Sequence, residues 1–161
     1  MACVVRIIEN YFDPILLKLL HEHILSEPLS YGEVSNKGDE TKFFSLNFNF
    51  KDNLTKYLCM KVAETLGGQV EFLRVYANIQ FRNMHGSFHS DDGDHTVLIM
   101  LSDTLSKEDG CFVMRDRSVD FVKNRCIIFN AKEDHMGLAS TREEKPRITL
   151  AFKTKKLDGN N

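Results

Sequence analysis

HGSFHSDDGDHTVLIMLS, residues 85–102, sets three histidines (His85, His89, His95) and three aspartates (Asp91, Asp92, Asp94) directly ahead of an apolar run. The chain has six histidines, so half of them fall within eleven positions. Residues 95–101 read as a strand, and in an extended chain residues two apart project to the same face. His89 and Asp91 can therefore aim one imidazole and one carboxylate at a common point. The pattern His-x-Asp is frequent by chance, and a polar loop rich in histidine would look alike, so donors elsewhere in the chain have to decide.

The bulk composition narrows the setting. A chain of 161 residues fits one domain, with no repeat and no long Pro/Gly/Ser linker to divide it. With 42% hydrophobic and 27% charged residues and a net charge of -2, it reads as a globular protein with no electrostatic pull towards nucleic acid. The start, MACVVRIIENYF, lacks the pattern of a secretory signal, and no segment has the length of a membrane span, so a cytoplasmic location is expected. Cys3, Cys59, Cys111 and Cys126 are too scattered for a zinc or redox motif and read as small buried apolar residues.

Patterning along the chain gives a short strand at 3–8, then Asp13-Pro14, an N-cap followed by proline at the first helical position. The helix expected over 14–26 would bury Ile15, Leu16, Leu19, Leu20 and His23, with His21 and Glu22 towards water. Residues 26–41, SEPLSYGEVSNKGDET, read as a long mobile loop able to contact substrate. KFFSLNFNF alternates at Phe44, Leu46, Phe48 and Phe50, a half-buried strand, and a second helix over 52–66 stops at Gly67-Gly68. From Val70 onward short strands follow one another: 70–81, an approach to His89, 95–101, 111–114, 119–122, 125–130 and 147–153. Two helices and then seven or eight strands predict an α+β chain whose strands close into a double-sheeted structure such as a jelly roll.

Beyond residue 95 the single histidine is His135, in NAKEDHMG just after the apolar strand RCIIFN. Two histidines and a carboxylate on one side of a metal, leaving the other positions open, suit non-haem Fe(II) and O₂ chemistry. Twelve residues on, PRITLAFK places Arg147 and Thr149 on one strand face and Ile148 and Leu150 on the other. An inward guanidinium needs an anion. A dicarboxylate that chelates the metal at one end would meet Arg147 and the Thr149 hydroxyl at the other. Asp92 and Asp94 rival Asp91 but lack its i, i+2 relation to His89. Gly86 between His85 and His89 speaks against a helical zinc pair, and no thiolate cluster accompanies the histidines. His85 and His95 are expected at the rim, where either could contact substrate.

The order RVYANIQF, HGSFHSDD, TVLIMLS, DGCFVM, NRCIIFNAKEDHMG, PRITLAFK resembles the 2-oxoglutarate and Fe(II)-dependent dioxygenases, in their prolyl 4-hydroxylase-like branch. The likeness covers about residues 70–153, with a further match to the family's N-terminal strand and helix at 4–26. It implies a double-stranded β-helix supported by about two N-terminal helices, in one catalytic domain over 1–161: strand and helices at 1–69, jelly roll at 70–153, a short tail at 154–161. It also implies Fe(II) on His89, Asp91 and His135, and 2-oxoglutarate held through Arg147 and Thr149. Tyr76 matches a tyrosine near the co-substrate, and Asn78 shares its strand face. Two positions depart: Met100 stands where many relatives have a tyrosine, and the usual Gly-Gly-x-Thr turn appears as Asp109-Gly110-Cys111-Phe112.

The implied reaction turns 2-oxoglutarate and O₂ into succinate and CO₂ while a substrate C–H bond is hydroxylated, with ascorbate as a supporting reductant. Within this branch the first expectation for a partner is a prolyl residue in a peptide or protein, over which residues 26–41 could fold. A free amino acid, an alkylated nucleobase, or a binding module without catalysis are the alternatives. Arg82, Arg115 and Arg117 are expected near the opening, either solvated or against an acidic substrate.

Overall fold

Side-chain alternation on two long antiparallel strands decides the architecture. The computed structural model describes residues 5–142 and 144–157. Strand β4 (Val70–Gln80) pairs with β10 (Arg147–Lys156) from Arg147 opposite Gln80 to Lys156 opposite Val70, with a register shift between Lys153 and Thr154. Strand β5 (His95–Met100) lies on the other side of β10, with Met100 opposite Thr149. On one face Val75, Ala77, Ile79, Val97, Ile99, Ile148, Leu150 and Phe152 form the main core. On the other, Tyr76, Leu98, Met100 and Ala151 belong to a second cluster. Each fully buried side chain of this kind contributes about 1.5–3 kcal/mol relative to exposure. A one-residue slip would exchange the faces and forfeit that sum, so the register is firmly set.

Four further strands complete a seven-stranded sheet, and their partners explain them. β1 (Arg6–Ile8) pairs with β8 (Cys126–Asn130), and β8 with β5. β3 (Phe43–Asn47) pairs with β4, and β2 (Ser30–Glu33) with β3, giving the order β1-β8-β5-β10-β4-β3-β2. β6 (Phe112–Met114), β7 (Ser118–Val119) and β9 (His135–Gly137) form a small second sheet, ordered β7-β6-β9. Phe112 and Met114 of β6 and Val119 of β7 pack with Phe129 of β8 in the second cluster, closing the space between the sheets. The fold is α+β, a double-stranded β-helix backed by two helices.

Helix α1 (Pro14–Ser26) starts as expected: Asp13 Oδ1 accepts hydrogen bonds from Ile15 N at 2.8 Å and Leu16 N at 3.4 Å. Its buried face is Leu17, Leu20 and Ile24, while Ile15 and Leu19 are 72% and 57% exposed. Of the residues expected inward Leu20 is buried and Leu16 and His23 are half-buried, but Ile15 and Leu19 face out, because the helix is apolar on several sides and the sheet selected the face. Helix α2 (Asn53–Leu66) buries Leu58 and Val62 and ends at Gly67, whose φ of 73° lets its N–H reach the Ala63 and Glu64 carbonyls at 3.1 Å. Among the described residues, no helix is long and apolar enough to cross a membrane.

Several expectations change. Residues 26–41 are not simply a loop, because Ser30–Glu33 is strand β2 at the edge of the large sheet. Residues 119–122 give way to a strand at Ser118–Val119. Strand β10 continues to Lys156, into the expected tail, and β3 pairs across the expected boundary at residue 70. No strand leads to His89, which makes one isolated bridge to His135, itself the first residue of an unforeseen strand. Cys111 and Cys126 are buried thiols and Cys59 is half-buried. Cys3, the start of the expected strand at 3–8 and residues 158–161 of the tail lie outside the described residues.

Candidate active site

His89 and Asp91 follow the bridge, and His135 faces them from β9. The Asp91 N–H donates to Ala131 O at 2.7 Å, and the Thr96 hydroxyl donates to Asp91 Oδ2 at 2.7 Å, so both backbone and carboxylate are fixed. His89 Nε2 lies 3.8 Å from Asp91 Oδ1 and His135 Nε2 lies 3.4 Å from Asp91 Oδ2. One donor atom from each residue lies within 4.8 Å of the other two, and among the described residues this is the one such group of three.

Tautomer is settled by the backbone. His89 Nδ1 sits 2.9 Å from Ser87 O and His135 Nδ1 sits 2.8 Å from Glu133 O. A carbonyl only accepts, so each Nδ1 carries a proton, and in the neutral ring Nε2 is the atom left with a lone pair, on the Asp91 side. Burial pushes the His89 pKa below its ordinary value. Burial works against the Asp91 charge, but His135, Lys153 and the Thr96 hydroxyl outweigh it and hold the carboxyl well below the usual range. A neutral imidazole and an ionised carboxylate are the forms that ligate a cation.

The residues named as rivals are engaged elsewhere. Asp92 is exposed, and Asp94 Oδ2 accepts from Lys156 N at 2.8 Å. His85 Nδ1 accepts from Ala139 N at 3.1 Å, and His95 lines a separate cleft with Arg6 and Lys156.

The anion end is built from β4 and β10. Arg147 is 2% exposed; its Nε donates to Gly110 O at 2.8 Å and its Nη1 to Gln80 Oε1 at 2.7 Å. Nη2 is buried without a hydrogen-bond partner. Burial lowers the Arg147 pKa to about 10, which leaves the guanidinium charged at neutral pH. Its Cζ lies 5.2 Å from the Phe121 ring centroid. Gly137 makes room for it, since a Cβ there would lie 3.0 Å from Nη1. Thr149 is buried opposite Asn78, whose Oδ1 is also buried without a partner. Tyr76 is buried, and the Arg74 guanidinium stacks 3.9 Å from its ring centroid.

One cavity of ≈ 50 Å³ joins the two ends, lined by His89, Asp91, His135, Arg147, Thr149 and Asn78 among others. That exceeds the ~10–15 Å³ a single water requires. Asp91 Oδ1 is the third buried polar atom without a hydrogen bond; Lys153 Nζ lies 3.0 Å away but out of hydrogen-bond alignment. Among the described residues these three atoms, Asn78 Oδ1, Asp91 Oδ1 and Arg147 Nη2, make up the whole set, and all their residues line the same cavity. Buried unpaired polar atoms cost about 1–3 kcal/mol each, more when charged. A cation on the two imidazoles and Asp91, with an anion reaching Arg147, satisfies the donor set at both ends.

The sequence reading missed Gln80, which fixes Nη1, although it continues the alternation 76, 78, 80. It also missed Gly137, which had no local signal, and Lys153, which continues 147, 149, 151. Met100 is fully buried, its sulfur accepting from Val122 N at 3.3 Å. In the departing turn, Gly110 supplies the carbonyl that Arg147 uses. Arg115 stacks 4.0 Å from the ring centroid of Phe88, the residue before His89, and pairs with Asp134 at 3.0 Å; it lines a separate cleft with Arg117. Arg117 pairs with Asp116, and Arg82 is exposed.

Comparison with known proteins agrees with this geometry. The sequence matches no family model and none of the curated proteins. Solved structures do match. The viral collagen prolyl hydroxylase of Paramecium bursaria Chlorella virus-1, in complex with 2-oxoglutarate, is similar at a TM-score of 0.74 and 14% identity, covering 95% of this chain and 96% of that one. A prolyl-4-hydroxylase of Pseudomonas putida gives 0.74 and 15%, covering 96% and 94%. A Trichoplax adhaerens prolyl hydroxylase, in complex with a peptide of the hypoxia inducible factor oxygen degradation domain, gives 0.75 and 12%, covering 94% and 83%. The chain has the fold of the 2-oxoglutarate and Fe(II)-dependent oxygenases. Within that fold, prolyl hydroxylases are among the structures it matches over nearly its whole length.

Proposed function

We propose that the protein is a 2-oxoglutarate and Fe(II)-dependent dioxygenase that hydroxylates a C–H bond, in the first place of a prolyl residue in a peptide or protein. The observation that carries the chemistry is the convergence on one cavity of three buried polar atoms without a hydrogen bond, with a two-histidine, one-carboxylate cluster at one end and a guanidinium without an acidic partner at the other.

His89, Asp91 and His135 would hold the metal, and Arg147 with Thr149 the distal carboxylate of 2-oxoglutarate. When bound, iron with 2-oxoglutarate and O₂ supplies the oxidation, and succinate and CO₂ are the by-products. This chain's residues supply position and dryness. The Ser87 and Glu133 carbonyls accept the Nδ1 protons, which orients the rings with Nε2 as the ligand atom, and Thr96 orients Asp91. Gln80 and Gly110 aim Arg147. Tyr76 walls the cavity, which keeps the electrostatic contacts strong.

Support for a peptide substrate is the neighbour solved with a peptide. A cytoplasmic setting, with ascorbate as reductant, completes the reading.

Anaerobic titration with Fe(II) and then 2-oxoglutarate tests the chemistry. A weak visible charge-transfer band is expected in wild type and is lost in His89→Ala. Metal binding without the band would mean that Arg147 serves another anion. Succinate release against a panel of prolyl peptides, free amino acids and alkylated nucleobases then tests the substrate, and succinate with peptides alone is the expected result. No succinate under any condition would make the protein a binding module.

A further inference from the structure

Lys153 lies on β10 at even spacing from Arg147 and Thr149, hence on the same strand face, but at the metal end. Its side chain is 16% exposed, and its Nζ lies 3.0 Å from Asp91 Oδ1 and 5.7 Å from the Tyr76 ring centroid. The neighbouring cation is already matched: Arg74 Nη1 and Nη2 donate to Glu33 at 3.1 Å and 2.9 Å. Lys153 is therefore matched by Asp91, which is also the one carboxylate of the metal cluster.

We propose that Lys153 is a second cation of the metal centre, sharing Asp91 with the metal, and that it lowers the affinity for divalent ions and favours Fe(II) over Fe(III). This rests on the reading of His89, Asp91 and His135 as metal ligands. Two cations on one buried carboxylate repel each other across a few ångströms of poorly screening protein. The penalty grows with the metal's charge, so a ferric ion suffers more than a ferrous one. Thr96 acts in the opposite sense, since its neutral hydroxyl orients the carboxylate and adds no charge. The two roles predict opposite signs: a residue that merely holds Asp91 in place would, when removed, loosen the ligand and weaken metal binding.

The probe is Mn(II), titrated into the metal-free protein with the free ion followed by electron paramagnetic resonance, in wild type, Lys153→Met, Lys153→Arg and His89→Ala. Lys153→Met is expected to bind about tenfold or more tightly, and Lys153→Arg to stay near wild type because the charge persists. The iron midpoint potential should fall in Lys153→Met. Unchanged or weaker Mn(II) binding in Lys153→Met overturns the proposal. If that variant does not fold, Lys153→Gln is read by the same criterion. Wild type without Mn(II) affinity, or His89→Ala with full affinity, would overturn the ligand assignment itself, a failure distinct from that of Lys153.

Discussion

His89 and His135 exchange both backbone hydrogen bonds, His89 N to His135 O at 3.0 Å and His135 N to His89 O at 2.9 Å. Two residues far apart in sequence thus form a bridge pair, with ring centroids 4.4 Å apart. The backbone, more than the side chains, sets the distance between the imidazoles. Removing an imidazole should therefore leave the fold standing.

His89→Ala, Asp91→Ala and His135→Ala are each expected to lower metal affinity by more than the roughly 10–100-fold that outer-sphere partners control. Calorimetric Mn(II) titration beside a far-ultraviolet circular dichroism spectrum checks both halves. A His135→Ala protein with wild-type affinity would remove it from the ligand set.

Arg147→Ala is expected to cost about 2 kcal/mol or more of dicarboxylate binding, roughly 30-fold, since a buried charge-assisted contact is lost. At a hundred times the wild-type Kd and saturating Mn(II), 2-oxoglutarate should stabilise wild type by about 2.7 kcal/mol and the variant by about 1 kcal/mol or less. Urea unfolding with and without 2-oxoglutarate measures the difference. Equal stabilisation would mean that the anion docks elsewhere.

Gly137→Ala puts a methyl group 3.0 Å from Arg147 Nη1 and 3.1 Å from Nη2. The guanidinium has to shift, so the KM for 2-oxoglutarate should rise several-fold, while Mn(II) affinity stays near that of wild type. A change in metal affinity alone would contradict this division of the cavity.

Burial holds the folded-state pKa of His89 below its ordinary value of 6.5. Above that value both folded and unfolded chains carry it neutral, and the group contributes no pH dependence. As pH falls through 6.5, the unfolded chain takes up the proton first and the folded protein loses stability. His95, also lowered by burial, acts in the same direction. Asp91 does not contribute here, because its depressed pKa keeps it ionised in this interval. Metal-free protein should thus unfold at lower urea concentration at pH 5.5 than at pH 7.5, with a smaller difference in His89→Gln. Identical midpoints for wild type at the two pH values would refute the shift.

The parts of this molecule with strict local periodicity were legible before any coordinates. Arg147 and Thr149 alternate against Ile148 and Leu150, and that alone predicted a strand with one polar and one apolar face. Asp13-Pro14 and Gly67 marked helix ends through backbone chemistry that operates within a few residues. What stayed hidden depends on partners distant in sequence. β2 is polar and short, and becomes a strand because the β3 edge offers hydrogen bonds. His135 opens a strand because β6 and the His89 bridge lie beside it. Lys153 read as the last residue of the strand over 147–153, and nothing local to it announced that the fold brings Asp91 to it.

β10 also constrains how this protein can change over evolutionary time. Its residues 147, 149 and 151 line the cavity and 153 reaches Asp91, while Ile148, Leu150 and Phe152 serve the main core. A single-residue insertion between Arg147 and Lys153 would reverse part of that assignment, sending a cation into the core or an apolar side chain to the metal. Length changes there are tolerable in pairs, and a change of two still moves the two cations apart by one full repeat. The spacing from Arg147 to Lys153 is thus constrained from both faces of the strand at once.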